Sequence, residues 1–227
     1  MKVEIVSATR MTEDEFWDKS ALGLSLSAFS HDERIVTRIS YQNRRGLPVV
    51  YNESIVAPDP HDILLFVHDD VWLHDFYFID ELIAGLNQFD VVGLVGNQVR
   101  EPYQLAWCTK GNSQLESNHA FLSGTLGHSR LPLAKPVTHF GTAPVACELL
   151  DGLFLAAHKT VLRRHGVLFD PRFDFHFYDL DFCRSARQRN LTLGTCRISA
   201  THQSEAGAYG SDGWQTNLGA YSQKWGA

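Results

Sequence analysis

Long apolar runs are missing from this chain of 227 residues. No stretch approaches the roughly 18 to 20 uninterrupted apolar residues that a membrane-spanning helix needs. The first residues, "MKVEIVSATR", alternate as a strand does and lack the apolar core of a secretory signal. Basic clusters are scarce as well. Lysine and arginine number 20 against 26 acidic residues, for a net charge of −6, and only Arg44-Arg45 and Arg163-Arg164 stand side by side. A nucleic-acid binder would show a basic face, so no nucleic-acid partner is expected. The four cysteines (Cys108, Cys147, Cys183, Cys196) show no CxxC spacing, which argues against a zinc site or a dithiol redox centre. They read as free thiols of a reducing compartment. Sequons at Asn52 and Asn190 carry little weight without a signal peptide. No internal repeat is present. These absences describe a cytoplasmic protein with no membrane span, with peripheral membrane association left open.

What is present is an ordinary globular composition, 44% hydrophobic and 20% charged, enough to bury one sizeable core. Val3 to Ala8 reads as a strand. Thr12 and Glu15 make a capping-box pattern that opens a helix through Leu26. Arg34 to Ser40 reads as a second strand, and Pro48 suits the first turn of a helix ending near Ala57. Ile63 to Val67 is a third strand, Phe76 to Gln88 a helix and Val91 to Val95 a fourth strand. Such alternation predicts an α/β fold with a mostly parallel central sheet flanked by helices. Residues 97 to 149, rich in Gly, Ser, Asn, Pro and His, show no confident element and read as an irregular, binding-type insertion. Regularity returns in "LLDGLFLAAHKTVLRRHG", a strand and a helix that Gly166 ends. "YDLDFCRSARQRN" reads as a helix, "LTLGTCRIS" as a closing strand, and the Gly-rich tail from Thr201 as irregular.

The stretch "DILLFVHDDVWL" ends an apolar strand on His68, Asp69 and Asp70. An isolated Asp-Asp pair reads first as a turn that caps the next helix. Yet ligands of open α/β sheets bind beyond the carboxyl ends of the strands. Alternation there points His68 and Asp70 one way and Asp69 the other. A carboxylate at such a place suits a hard divalent cation that also takes phosphate oxygens. A second acidic group, Asp174, Asp179 and Asp181 in "DFHFYDLDFCRSARQRN", stands before or within the first turn of a helix. A carboxylate held there could serve as a general base toward a hydroxyl. Capping or structural pairing is the plainer role for Asp181, and Asp179 is open between the two.

In order and spacing, these segments resemble the GT-A-type (nucleotide-diphospho-sugar transferase, Rossmann-like) glycosyltransferases, specifically inverting family 2 and its bacterial polysaccharide relatives. "ILLFVHDDVWL" resembles the strand that ends in an Asp-x-Asp motif, with His68 at the first Asp and Asp70 at the second. "LDGLFLAAHKTVLRRHGVLFDPRFD" resembles the middle of the pattern, and "FYDLDFCRSARQRN" its acidic helix start, with Tyr178 in place of the usual Glu. His202 fits the late histidine, and "GLPVVYNESIVA" resembles the segment before the Asp-x-Asp strand. The resemblance covers about residues 34 to 96 and 150 to 203, plus the first strand.

That resemblance implies a single domain over 1–227: a nucleotide-sugar and metal-binding half (1–96), the insertion (97–149), an acceptor and catalytic half (150–203) and a tail (204–227). It implies Mn²⁺ or Mg²⁺ on Asp70, with His202 and His68 as further ligands, beside a nucleotide-diphosphate sugar donor. Ser7, Thr9 and Arg10, with Asp69 and Asp70, would line the donor pocket. Asp151 and Gly152 would lie near donor sugar or acceptor, and Asp179 would deprotonate the hydroxyl of a glycan, lipid-linked or protein acceptor. Two departures stand out, His68 for aspartate and Tyr178 for glutamate. They keep open a non-catalytic nucleotide- or glycan-binding module. A metal-dependent hydrolase using His68, Asp70, His74 and His202 ranks behind both. Within 97–147, Trp107, His119, Phe121, His128 and His139 are candidates for an acceptor side or for core. Trp214, Tyr221 and Trp225 of the tail read as packing.

Overall fold

A computed structural model describes residues 1–111, 119–133, 135–203 and 210–226. Strand β1 (Val3–Ala8) leads through α1 (Glu13–Lys19) and α2 (Ala21–Ala28) to β2 (Ile35–Ser40). Next come α3 (Leu47–Val56), β3 (Ile63–Val67), β4 (Val71–Leu73), α4 (Phe78–Leu86), β5 (Val91–Gly93) and β6 (Val95–Asn97). The capping box forms as expected: Thr12 accepts from the Glu15 amide, and the Glu15 carboxylate accepts from the Thr12 amide at 3.1 Å. The single helix expected from there breaks at Ser20. Its hydroxyl bonds the Phe16 carbonyl and caps α2 through the Gly23 amide. The turn is so tight that a Cβ on Gly23 would lie 2.1 Å from the Phe16 oxygen.

The second half adds β7 (Leu122–His128), β8 (Val137–Gly141), β9 (Ala146–Cys147), β10 (Leu149–Leu150), β11 (Phe154–His158), α5 (Lys159–His165), α6 (Tyr178–Gln188), β12 (Leu193–Thr195), β13 (Ala200–His202) and α7 (Asp212–Trp225). The central sheet runs β2-β1-β3-β11-β5-β12-β9. Strands β2, β1, β3, β5 and β12 share one direction, while β11 and β9 run against them. The mostly parallel sheet is therefore present, with β11 antiparallel at its middle. A second sheet runs β10-β6-β7-β13-β4, with β8 paired to β7.

Further expectations are corrected. Val91 to Val95 is two strands, one for each sheet, divided at Leu94. The run is buried throughout, so no change of periodicity marks the break. "LTLGTCRIS" is a strand only to Thr195, and the chain resumes pairing at Ala200. The 97–149 insertion supplies β7 to β10; β7 and β8 pair as neighbours, and the remaining pairings reach β6, β12 and β13 elsewhere in the chain. Residues 112–118 and 134 lie outside the described ones. The tail is helical over Asp212–Trp225, capped by Ser211 and ended by left-handed Gly226. Residues 204–209 and 227 lie outside the described ones. Trp214, Leu218, Tyr221 and Trp225 recur with a helical period, but Gly213 and Gly219 weaken the local propensity. Trp214 and Tyr221 are buried, as expected of packing residues.

Aromatic rings link α6 to the central sheet. Phe169 stacks on Phe182 at 4.1 Å, and Tyr51, Phe66 and Tyr178 surround the pair. Each fully buried ring of this kind is worth about 1.5–3 kcal/mol relative to exposure. This packing fixes the first turn of α6 against the carboxyl end of β3.

Candidate functional site

Three backbone connections build the site at the end of β3. The His68 amide bonds the Leu153 carbonyl at 3.0 Å, laying the loop before β11 across the strand end. Antiparallel pairing of β13 with β4 sets His202 opposite Val71, and the Gln203 amide bonds the Asp70 carbonyl at 2.8 Å. Parallel pairing of β13 with β7 sets His128 beside His202. The outcome is a cluster of His68, Asp70 and His202 whose ligand-type atoms all lie within 4.8 Å of one another. His202 Nε2 stands 3.3 Å from Asp70 Oδ2, and His68 Nδ1 stands 4.0 Å from Asp70 Oδ1. Asp69 turns away to the Thr9 hydroxyl; the strand ends at Val67, and Asp69 and Asp70 form the turn that leads into β4.

The charges of this cluster depend on one another. Burial alone would raise Asp70, but the hydrogen bond and charge of His202, with His68 adding, bring it below the usual carboxylate range. Burial lowers His202, yet Asp70 outweighs it and leaves the imidazole above its ordinary value. Burial holds His68 down and Asp69 up. Among the described residues, no lysine or arginine forms an ion pair with Asp69, Asp70, Asp151 or Asp179. Asp70 Oδ1 is buried without a hydrogen-bond partner. An orphaned carboxylate oxygen facing two imidazoles is a donor set that fits a divalent cation.

Asp179 lies in the first turn of α6, where helix N-terminal amides favour negative charge. Its Oδ2 accepts from the Gly152 amide at 3.2 Å. Burial, reinforced by the charge of Asp151, nevertheless raises it to about 7, against the opposing backbone hydrogen bonds. Gly152 has no space for a side chain: a Cβ there would lie 2.4 Å from the Tyr178 oxygen and 2.8 Å from Asp179 Cβ. Asp151 Oδ1 accepts from the Leu153 amide at 2.9 Å, fixing the loop. Phe177, just before α6, holds a left-handed backbone (φ 64°) that a bulky residue seldom adopts. Trp214 and Tyr221 of α7 pack on its ring, so the C-terminal helix supports the turn that presents Asp179.

Asp181, one helical step further, has a structural role. It is fully buried and receives Lys224 Nζ and Trp225 Nε1, each at 2.7 Å. Ser7 is buried in β1 with its hydroxyl unpartnered, and Thr9 anchors the following loop by accepting from the Met11 amide. Arg10 donates to the Asn43 carbonyl at 2.8 Å and is otherwise exposed. Thus Asp69 and Thr9 stand together beside the cluster, while Arg10 is directed toward the loop after β2. His74 bonds Thr201 at 2.8 Å and does not join the cluster. Trp107 belongs to the core, and His139 bonds Thr125.

Sequence reasoning gave no role to two residues that touch the cluster. Tyr178 is buried, and its hydroxyl stands 2.7 Å from His68 Nε2 and 2.8 Å from the Gly152 carbonyl. Phe175, half exposed, stacks on the His68 ring with centroids 5.6 Å apart. Tyr178 lies 110 positions from His68, so only its departure from the family pattern marked it.

No family model and no curated protein matches the chain. Among solved structures, A197 from STIV superposes with a TM-score of 0.52 at 11% identity, over 90% of this chain and 87% of that one. GalNAc-T7, solved with UDP, GalNAc and Mn²⁺, superposes with a TM-score of 0.54 at 10% identity, over 98% of this chain and 48% of that one. The fold is GT-A. The catalytic domain of Drosophila β1,4-galactosyltransferase 7, solved with xylobiose, gives a TM-score of 0.47 at 11% identity, over 90% of this chain and 71% of that one. This GT-A chain spans about half the length of the GalNAc-T7 chain. No helix among the described residues is long and apolar enough to cross a membrane.

Proposed function

We propose that the chain is a metal-dependent glycosyltransferase that moves a sugar from a nucleotide-diphosphate donor to an acceptor hydroxyl, with inversion. One observation carries the reading. The orphaned Asp70 oxygen and two imidazoles form a cation-type cluster, and Tyr178 and Gly152 connect it to a carboxyl group poised near neutrality. Asp70, His68 and His202 would hold Mn²⁺ or Mg²⁺, which when bound offsets the charge of the diphosphate. Ser7, Thr9 and Asp69 would line the nucleotide side, with Arg10 at its rim. Asp179 would take the proton of the acceptor hydroxyl as its oxygen bonds to the anomeric carbon. The bond from that carbon to the diphosphate breaks, and the nucleoside diphosphate leaves. A value near 7 suits such a base at neutral pH. Asp151 and Gly152 would border the donor sugar and acceptor.

The motif order further supports a family 2-like enzyme of bacterial-type polysaccharide assembly. It would act at the cytoplasmic side on a glycan, lipid-linked or protein acceptor, without a span of its own. Within one domain, residues 1–96 would serve the donor and 150–203 the acceptor. A thermal-shift screen of UDP, GDP, CDP and dTDP, with and without Mn²⁺ or Mg²⁺, tests the donor side. A metal-dependent shift for one nucleotide, lost in Asp70→Ala, is expected. Binding with no sugar transfer under any acceptor condition would instead make the chain a non-catalytic module.

A further inference from the structure

Two positions at which this chain departs from the glycosyltransferase pattern, His68 and Tyr178, are in direct contact at 2.7 Å. Their hydrogen bonds have one consistent arrangement. A tyrosine hydroxyl carries a single proton, and the Gly152 carbonyl, 2.8 Å away, can only accept it. Toward His68 the same oxygen therefore presents a lone pair, and the ring nitrogen that meets it must be a donor. His68 thus carries its proton on Nε2. Its other nitrogen, Nδ1, makes no hydrogen bond among the described residues and faces Asp70 Oδ1 at 4.0 Å. That carboxylate oxygen is itself buried without a partner. Two electron-rich atoms left facing one another are a stable arrangement once a cation stands between them.

We infer that Tyr178 is a positioning residue which fixes the His68 tautomer and directs the Nδ1 lone pair into the Asp70–His202 cluster. The inference rests on the metal-binding reading above and adds to it a reason for both departures. An aspartate at 68 would offer oxygens on a symmetric carboxylate and would need no tautomer control. An imidazole offers one lone pair only, so its use as a ligand requires a partner for the opposite nitrogen. Tyrosine supplies that partner without a charge, beside the existing carboxylates of Asp151 and Asp179. Phe175 covers one face of the His68 ring, and the absence of a side chain at Gly152 leaves the space that the Tyr178 hydroxyl occupies. The histidine and the tyrosine work as one unit, and neither replacement is an isolated loss from the pattern.

The test uses the full chain, Mn²⁺ alone as probe, and two readouts besides activity. In metal-free protein, nitrogen-15 spectra of the histidine side chains, with His68 assigned by its loss in His68→Asp, are expected to show the Nε2–H tautomer. Tyr178→Phe, which keeps the ring and removes the hydroxyl, is expected to lose that preference. Calorimetric titration of this variant should show Mn²⁺ affinity reduced about 10- to 100-fold. In a His68→Asp background, Tyr178→Phe should change Mn²⁺ affinity less than about twofold, because no imidazole remains to orient. An Nδ1–H tautomer in the wild type would overturn the inference. So would unchanged Mn²⁺ affinity in Tyr178→Phe, or an equal loss in both backgrounds. Failure of the wild type to bind Mn²⁺ would instead overturn the metal-binding reading, and the tautomer would still decide whether Tyr178 fixes His68.

Discussion

Strand β3 has a histidine near each end, and the two ends differ in how their charge is completed. Before the strand, His61 joins Glu4 and Asp59 in a group whose ligand-type atoms also lie within 4.8 Å of one another. That group holds its own cations. Arg38 reaches both Glu4 and Asp59, and the buried Lys159 ammonium lies 2.6 Å from Asp59. After the strand, His68, Asp70 and His202 stand without a lysine or arginine ion pair among the described residues. Similar donors thus reach opposite conditions. Among the described residues, each end has a buried carboxylate oxygen without a hydrogen-bond partner, Glu4 Oε2 and Asp70 Oδ1. The ends differ in that the amino end carries its own arginine and lysine, while the carboxyl end keeps a deficit of positive charge. A donor set becomes a candidate cation site only where the protein has not already supplied the cation.

The largest effect expected is on Asp70→Ala. It should abolish Mn²⁺-dependent stabilisation and cut sugar transfer on the order of a thousandfold. Glu4→Gln at the balanced end should leave the Mn²⁺ response in place. A Mn²⁺ response that survives Asp70→Ala, or vanishes in Glu4→Gln, would reverse the contrast between the ends.

Next comes Asp179→Asn, expected to lower transfer by about 10²–10⁴-fold. In the wild type, rate should fall below pH about 7 as Asp179 takes up a proton, a limb absent from any residual activity of the variant. Stability should move the other way. A carboxyl raised from 3.8 to about 7 binds more protons folded than unfolded between those values, so wild-type stability declines as pH rises through them. Asp179→Asn should therefore be more stable at pH 8, by about 2–4 kcal/mol after allowance for solvent screening. The advantage should fade toward pH 4, and chemical denaturation at the two pH values measures it.

Lys159→Met addresses the balanced end. Removing a buried partner of Asp59 should cost about 3 kcal/mol, read as a lower denaturation midpoint. If internal charge is what closes this end, the variant should also gain a weak Mn²⁺ response that persists in the Asp70→Ala background. The smallest effect, about 1 kcal/mol, is expected for Thr12→Ala, which removes the cap of α1 away from both groups. Its Mn²⁺ response should equal that of the wild type, separating loss of stability from loss of the site.

Much of the fold was legible because its signals are local. The capping box of α1, the proline in the first turn of α3 and the left-handed glycine after α5 each act within a few residues. The apolar run of β3 and its polar ending also read correctly, since a buried strand shows its burial in composition. The second sheet was not legible. Strands β4, β10 and β13 are only two or three residues long, β6, β7 and β8 carry glycine, and apart from the β7–β8 pair their partners are distant in the chain. Helix α7 lies between these cases: its apolar period was present, but it is completed by burial on Phe173 and Phe177 and by the bonds of Lys224 and Trp225 to Asp181.

By itself, the amino-acid sequence determined the alternation of elements, the acidic end of β3 and the identities of the candidate acids and imidazoles. These follow from periodicity, capping and side-chain chemistry, which need no neighbour from elsewhere in the chain. Tertiary structure decided which groups share a charge environment. Antiparallel pairing of β13 with β4 brought His202 to Asp70, and the packing of α6 brought Tyr178 to His68. Asp179 and Asp181 differ for the same reason: one shares its burial with Asp151, the other with Lys224. Two residues apart in one helix, they have different roles because electrostatic interactions act through space.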